Sequence, residues 1–357
     1  MKEFGRSDLV KIEKVNERIS WVDVLKFIGI YFIYIGHFGQ DAGIFYKYAF
    51  QFHVPLFFFV SGFFFKNNNE ENFINFVKKR INRYIVPYFV FNILYIIIYC
   101  IAKEFGINFI CNELFKSLLG IRNNLLAGST WFIPCLFMME IIYYFLNKIL
   151  KQKKMLLLTV SLLIYVYLIY FSSNNPIINP SLFWNIDSAL VYMVYFSLGN
   201  ILFKYIKNYK NCLQGKRKFI TYPFIMFVFF ISIICLFKGR TFFGKFLIGK
   251  YYFLYDILFT IILIIGNVVI SILLKDITLF QSIGKETLYL CLTENLIRIL
   301  TSNIFIFFGI NISISNPLIA LIYSFCLLYF NYKYFIPLIK KVKLRCNYES
   351  GSNKCSL

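Results

Sequence analysis

Residues 21–39 read WVDVLKFIGIYFIYIGHFG, and this run of apolar residues decides the fold class of the chain. A transmembrane helix needs about 20 predominantly apolar residues to cross the hydrocarbon core of a bilayer. Runs of about that length recur along the sequence, at 22–39, 48–65, 84–102, 129–147, 155–172, 186–203, 219–237, 251–274, 286–308 and 316–336. The sequence therefore predicts an all-α polytopic membrane protein, a bundle of about ten transmembrane helices.

The overall composition supports this fold class. Hydrophobic residues make up 59% of the 357 residues and charged residues only 15%, and the mean hydropathy is +0.66. A soluble domain could not bury that much apolar surface. The polar stretches are too short to form a core of their own. One transmembrane domain is therefore predicted at 21–338, between cytoplasmic tails at 1–20 and 339–357.

The formal net charge of +21 is distributed unevenly between the loops. Lys and Arg residues cluster in alternate loops, at 2–18, 66–83, 148–154, 204–218 and 340–354. This positive-inside pattern predicts that both termini lie in the cytoplasm, with an even number of spans, although the basic loop at 238–250 is an exception. The basic residues are expected to contact membrane lipids, and nucleic acid is not an expected partner.

The chain has only two histidines, His37 at the end of the first apolar run and His53 near the start of the second. Ionisable groups within membrane segments are costly and usually serve a site, and an imidazole can take up and return a proton near neutral pH. His37 is therefore the leading catalytic candidate, and the alternative is a packed, hydrogen-bonded histidine. His53 is either a site residue or a structural donor to a backbone group freed by Pro55.

No metal site is predicted from these histidines. Asp41 is the only carboxylate in the connection between them, and the nine cysteines form no CxxC pair. A zinc site needs three or four such ligands at suitable spacing.

Lys26 and Asp23 precede His37 in the same run. At 100° per residue, the eleven residues from Lys26 to His37 return to nearly the same helix face and rise about 16 Å. Asp23 lies one turn from Lys26 and can pair with it. The alternative interpretation is that both are interfacial anchors.

A basic cluster, KKRINRYIVPY at 78–88, precedes the third span and contains Lys79, Arg80 and Arg83. Arg80 and Arg83 are three residues apart and would share a helix face, where two guanidinium groups could bind a phosphate. Basic residues at a cytoplasmic helix end could equally anchor the helix to anionic lipid. The pattern alone favours neither interpretation.

Together these residues resemble the integral-membrane acyltransferase-3 family. The resemblance rests on Lys26 and His37 at their spacing, on FHVPLFFFVSG at 52–62, on the Arg80-x-x-Arg83 pair and on Trp131-Phe132. The Gly-His step and the Phe-His-x-Pro-Leu-Phe-Phe block are closest to its fucose 4-O-acetylase-like branch.

This resemblance implies a membrane O-acyltransferase, expected to be an O-acetyltransferase. It would move an acyl group from cytoplasmic acyl-CoA to a hydroxyl of a cell-surface carbohydrate or its lipid-linked precursor, in a bacterial plasma membrane. Acyl-CoA is the donor substrate, and no permanently bound cofactor is expected. The resemblance implies a catalytic role for His37, as a general base or as the residue that accepts the acyl group. It further implies donor contacts for Arg80 and Arg83, next to Lys79.

One departure from the family pattern lies in the ninth run. Many relatives have a histidine after a Gly-Lys-x-Ser/Thr-Leu block, which here is GKETL at 284–288, and the corresponding residue is Glu294. A carboxylate there could accept a proton, or pair with Arg298 one turn on.

The remaining candidates complete the predicted site. Trp131 either lies in the aromatic belt at the membrane interface or forms a platform for the acceptor sugar. Glu140, a carboxylate within a span, is expected to face the bundle interior. The predicted catalytic set is His37, Lys26 and Asp23, the predicted donor-binding set is Arg80, Arg83 and Lys79, and the predicted acceptor-binding set is His53, Trp131, Glu140 and Glu294.

The main alternative is a secondary transporter or a polysaccharide export protein that performs no acyl transfer. A transporter would be expected to show inverted repeats and broken helices near the midplane, and the sequence shows no convincing repeat.

Overall fold

A computed structural model of the protein describes residues 18–65, 72–172, 175–207, 252–310 and 316–340, with isolated positions between 223 and 234. These residues form helices and turns, with no strand among them. The helices are α1 Ser20–Gly36, α2 Ile44–Phe63, α3 Phe73–Lys103, α4 Ile107–Leu119, α5 Phe132–Ile149, α6 Lys154–Tyr170, α7 Ile186–Lys207, α8 Tyr252–Leu273, α9 Thr278–Lys285, α10 Thr287–Phe307 and α11 Pro317–Lys340.

Every predicted apolar run within the described ranges coincides with a helix. Within those ranges, six helices are long and apolar enough to cross a membrane, namely α3, α5, the segment Phe183–Lys207 that contains α7, α8, α10 and α11. The structure therefore confirms an all-helical chain of membrane type. The total of about ten spans and the N-in, C-in orientation remain predictions. The predicted run at 219–237, the loop at 238–250 and most of both tails lie outside the described residues.

The stretch between the predicted spans 84–102 and 129–147 contains a helix that the sequence did not predict, α4. Two glycines delimit this helix, with Gly106 at its N-cap and Gly120 at its C-cap in the left-handed region at φ 65°. A glycine adopts that conformation without the steric penalty of a Cβ. The hydroxyl of Tyr88 on α3 donates a hydrogen bond to the carbonyl of Ser117 (2.7 Å), which holds α4 against α3.

The first helix, α1, is the central element of the bundle. Most of its 17 residues are buried, and it packs against α2, α8, α9, α10 and α11. A helix that is apolar on nearly all sides is expected to be surrounded in this way. As a consequence, the polar groups at its two ends are held in fixed positions.

Two helices contain a π-helical turn, and in each the turn ends two residues before a proline. The turn Ile81–Ile85 lies in α3 before Pro87, and the turn Asn331–Phe335 lies in α11 before Pro337. A proline has no N–H to donate and its ring crowds the carbonyl four residues earlier. A wider π turn at that place relieves the crowding and lets the helix continue.

The helices α2 and α7 cross with their backbones close together. A Cβ placed on Gly199 of α7 would clash with the backbone carbonyl of Phe59, and one on Gly62 of α2 would clash with that of Phe196. Small residues at a helix crossing let two backbones approach closely, which is a common way for transmembrane helices to pack.

We expect Gly199→Ala to destabilise the protein by about 1–3 kcal/mol, because the added methyl group must displace backbone atoms. The measurement is thermal unfolding in detergent, followed by fluorescence-detected size exclusion. Gly128→Ala is the matched control, since a Cβ at Gly128 meets no atom within 4 Å. A Gly199→Ala variant as stable as the wild type would contradict the close crossing, since alanine otherwise favours a helix over glycine.

Candidate active site

His37 follows the last residue of α1 and faces a buried carboxylate on α10. It is the C-cap of the helix, and its N–H bonds to the carbonyl of Ile33. Its Nδ1 lies 2.8 Å from Oε1 of Glu294, which is fully buried, whereas the His37 side chain is 27% exposed. The ring N–H is not aligned for a linear hydrogen bond. The carboxylate is therefore placed to orient the ring and to stabilise a positive charge that forms on it.

Arg298 completes this contact from the next turn of α10. Its Nη1 lies 3.4 Å from Oε1 of Glu294, and its Nη2 donates to the backbone carbonyl of His37 at 3.3 Å. The predicted Glu294–Arg298 pair is confirmed. The structure adds His37 to it, so that one buried carboxylate faces both an imidazole and a guanidinium. A buried carboxylate needs such partners to remain charged.

Two polar residues support this group, and sequence reasoning missed both. The hydroxyl of Ser129 lies beside the Glu294 carboxylate and donates to the carbonyl of Cys291 at 3.1 Å. Asn295 donates from Nδ2 to the same hydroxyl at 2.6 Å. Nothing in the local sequence around Ser129 indicated this role, because the contacts join residues more than 160 positions apart.

A buried hydrogen-bond network fixes α10 against α1 beside the pair. The Tyr34 hydroxyl donates to the carbonyl of Leu290 at 3.1 Å. Asn331, the first residue of the π turn in α11, donates to Tyr34 Oη at 2.7 Å and to Thr293 Oγ1 at 2.8 Å. Fully paired buried networks of this kind make the local packing rigid. This network therefore limits how far His37 and Glu294 can move apart.

His53 is held by its own helix. Its Nδ1 lies 2.6 Å from the carbonyl of Ala49, so Nδ1 carries the proton and Nε2 keeps a lone pair. The prediction that His53 serves a backbone group freed by Pro55 is wrong. The carbonyl that Pro55 leaves without its helical donor belongs to Gln51, and Thr260 of α8 donates to it at 3.2 Å.

Trp131 is a buried packing residue and does not face the outside of the bundle. The side chain is 5% exposed. The guanidinium of Arg122 lies 4.6 Å from its ring centroid, a cation–π contact that covers part of the ring face a sugar would need.

Asp23 and Lys26 lie together at the opposite end of α1 from His37. Asp23 is buried, and its two carboxylate oxygens contact Lys26 Nζ at 3.3 Å and Arg18 Nε at 2.8 Å. Arg83 also lies within electrostatic range of Lys26. The structure therefore does not bring Asp23 and Lys26 to His37. It pairs two cations, Arg18 and Lys26, with the Asp23 carboxylate.

Arg80 and Arg83 do not form the predicted pair of guanidinium groups on one helix face. Arg80 Nε lies 2.9 Å from Oε2 of Glu140 on α5, and its guanidinium stacks over the Phe76 ring at 3.8 Å. The Tyr84 hydroxyl donates to the other carboxylate oxygen of Glu140 at 2.9 Å. Glu140 does face the bundle interior, as expected, but both of its oxygens are engaged at α3, away from His37.

The two other basic candidates are exposed beside this contact. Lys79 and Arg83 both lie at the surface of α3. Arg83 lies within the π turn Ile81–Ile85, whereas Arg80 precedes it. The Arg83 guanidinium lies 5.2 Å from the centroid of the Tyr84 ring, whereas Arg80 contacts Glu140 on α5.

A cavity of about 630 Å³ adjoins the His37 group. It is lined by Phe38, Tyr95, Tyr99, Lys103, Asn295, Arg298, Ile299, Ser302, Asn303, Phe305, Ile306, Ile310 and Tyr323. Arg298 and Asn295 are shared between the cavity and the Glu294 contacts, so the cavity reaches the group directly. Among the described residues, no cluster of three His, Cys, Asp or Glu side chains could hold a metal ion.

A comparison with protein families identifies the domain that the chain contains. A family model described as an acyltransferase domain matches residues 19–332, which is most of the chain and includes every helix from α1 to α10. No curated protein and no solved structure matches the chain. Together with the apolar helices, the match establishes a membrane protein with an acyltransferase domain. The chain therefore belongs to the acyltransferase-3 family.

Proposed function

We propose that the protein is a membrane O-acetyltransferase of the fucose 4-O-acetylase-like branch. It would transfer an acetyl group from cytoplasmic acetyl-CoA to a hydroxyl of a cell-surface carbohydrate or its lipid-linked precursor, in a bacterial plasma membrane. The observation that carries this proposal is the contact of His37 with the buried Glu294 at 2.8 Å beside a cavity. A histidine oriented by a carboxylate is a recurrent arrangement for activating a hydroxyl nucleophile.

In this mechanism His37 acts as a general base. Because Nδ1 faces Glu294, Nε2 is the ring nitrogen left for the substrate. It takes the proton from the acceptor hydroxyl while that oxygen attacks the thioester carbonyl carbon. When the tetrahedral intermediate collapses, the carbon–sulfur bond breaks and the thiolate of CoA takes the proton from Nε2. The products are an O-acetyl ester and CoA with a free thiol.

Glu294 and Arg298 would each stabilise one of the two charges that develop during this reaction. The Glu294 carboxylate stabilises the imidazolium that forms at His37. The guanidinium of Arg298 lies next to the same group and would stabilise the negative charge that develops on the carbonyl oxygen. The alternative chemistry, in which His37 itself carries the acetyl group, uses the same contacts and would leave a labelled histidine.

The cations at the other end of α1 support a donor site. Arg18 and Lys26 contact Asp23, and Arg83 lies within electrostatic range of Lys26. The phosphates of coenzyme A are suitable ligands for such a group of cations. A rise of about 16 Å along α1 separates Lys26 from His37. The pantetheine arm of coenzyme A is an extended chain that could reach along this distance.

The experiment that tests the proposal is loss of the acetyl-CoA thioester in the purified, detergent-solubilised protein, with free CoA detected by a thiol reagent. We expect slow hydrolysis without an acceptor and faster, ester-forming turnover with one. A secondary transporter would instead move substrate across a vesicle without consuming acetyl-CoA. Folded protein that neither binds nor consumes acetyl-CoA or a longer acyl-CoA would overturn the proposal.

We expect Arg83→Gln to raise the KM for acetyl-CoA about tenfold, the effect of losing one charge-assisted hydrogen bond to a phosphate. Arg80→Gln should behave differently, because Arg80 neutralises Glu140. Leaving a buried carboxylate without its partner costs about 3–5 kcal/mol, so this variant should unfold at a lower temperature. Initial rates against acetyl-CoA concentration and thermal unfolding separate the two effects.

The double variant Arg80→Gln, Glu140→Gln is the control for this pair. Removing both charges eliminates the unpaired carboxylate, so stability should recover in large part. If Arg80→Gln were stable and raised the KM for acetyl-CoA as much as Arg83→Gln, the assignment of Arg80 to a structural contact would be wrong.

A further inference from the structure

The cavity beside His37 carries positive charge and no described negative charge in its lining. Lys103 lies in the last turn of α3 and Arg298 lies on α10, and both line the cavity. None of the other described lining residues is an Asp or a Glu. A cleft lined by one sign of charge concentrates ligands of the opposite sign.

The rest of the lining is suited to a sugar ring. Three tyrosines and a phenylalanine supply ring faces and edges, namely Tyr95, Tyr99, Tyr323 and Phe38. Side-chain amides and a hydroxyl supply donors and acceptors, from Asn295, Asn303 and Ser302. A pyranose has apolar faces and a rim of hydroxyl groups, so it matches aromatic walls with polar groups between them. The volume of about 630 Å³ lies within the range of about 300–1,000 Å³ that is usual for small-molecule sites.

We propose that this cavity is the acceptor site and that the acceptor is an anionic saccharide, a sugar that bears a carboxylate or a phosphate. This inference rests on the proposed function, because it takes the bound sugar to be the hydroxyl donor in acetyl transfer. Lys103 and Arg298 would bind the anionic group, while the aromatic residues hold the ring. Since Arg298 also contacts the carbonyl of His37 at 3.3 Å, a sugar bound to it presents its hydroxyls to the base.

Three probes with the same ring test the charge requirement. They are glucuronate, glucose 1-phosphate and neutral glucose, each added to the wild-type protein with acetyl-CoA. We expect at least one anionic sugar to accelerate CoA release and to become O-acetylated, at a half-saturating concentration about tenfold below that of glucose. Binding of each sugar to the protein without acetyl-CoA is measured in parallel by isothermal titration calorimetry.

The outcomes distinguish this inference from the proposed function. Thioester loss with a preference for glucose, or with no difference between the three sugars, overturns the anionic acceptor and leaves acetyl transfer intact. Absence of thioester loss together with tighter binding of an anionic sugar supports the site and argues against the transferase. Absence of both overturns both. The comparison of carboxylate with phosphate separates a uronic acid from a phosphorylated, lipid-linked precursor.

Lys103→Gln locates the effect in the cavity. We expect the advantage of the anionic sugar over glucose to fall from about tenfold to about twofold or less, in binding and in turnover. Lys148→Gln is the matched control, because Lys148 is also an exposed lysine in the last turn of a helix, α5, and does not line the cavity. If Lys148→Gln reduced the preference as much as Lys103→Gln did, the preference would reflect general surface charge, and the site would be refuted.

Discussion

Replacement of His37 by alanine is expected to lower acetyl transfer from acetyl-CoA by about a thousandfold. General base catalysis contributes about 10²–10⁴-fold to a reaction of this class, and the chain offers no second imidazole on the Glu294 carboxylate. His53, the other histidine, is bonded to Ala49 within its own helix. The measurement is the initial rate of CoA release from acetyl-CoA, with and without an acceptor.

The fold should tolerate this change. The contribution of His37 to the end of α1 is its backbone N–H, which bonds to Ile33 and remains in the variant, and its side chain is 27% exposed. Elution on size exclusion and thermal unfolding are therefore the controls for folding, and Lys148→Gln is the control for activity. A folded His37→Ala protein that retains a tenth or more of the wild-type rate would exclude His37 as the base.

Glu294→Gln is expected to lower the maximal rate by about a hundredfold or more while the KM for acetyl-CoA changes little. The glutamine keeps the shape of the side chain but cannot stabilise an imidazolium, and loss of the orienting carboxylate in related histidine systems costs up to about 10⁴-fold. The proposed donor site should be unaffected, because its cations lie about 16 Å away along α1. Rates at varied acetyl-CoA concentration resolve kcat from KM.

Two further variants separate catalysis from stability at this position. Glu294→Gln leaves the Arg298 charge without its partner, so some loss of stability is expected. The double variant Glu294→Gln, Arg298→Gln removes that charge and should recover the stability but not the rate. Glu294→Asp keeps the negative charge and should retain more activity than Glu294→Gln. If the double variant recovered both stability and rate, the role of Glu294 would be purely structural.

The sequence predicted the elements whose signal is local. A long apolar run predicts a transmembrane helix wherever it occurs, and each such run in the described ranges is a helix. The sequence also predicted that His37 belongs to a functional site, because a histidine within an apolar run is rare and its burial costs free energy. The helix α4 was missed because its sequence is only partly apolar, and its ends depend on Gly106 and Gly120.

The partners of the charged residues could not be predicted in the same way. Arg80 and Glu140 are 60 residues apart, and Arg298 and His37 are 261 residues apart. Spacing within a helix reports which residues share a face, but it carries no information about which helix lies opposite. Arg80 was therefore grouped with Arg83, its neighbour in sequence, although a buried carboxylate on α5 binds it.

The helix α1 has one further consequence for the choice of donor. It is continuous and buried along most of its length, so the distance between the cations at one end and His37 at the other is fixed. Such a helix sets the length that a donor must span between the two sites. On the proposed function, a thioester anchored by its phosphates presents its carbonyl to His37 only if the arm between them has the matching length. A donor with a truncated arm would bind by its phosphates, but its thioester carbonyl would not reach His37, although its reactive group is the same.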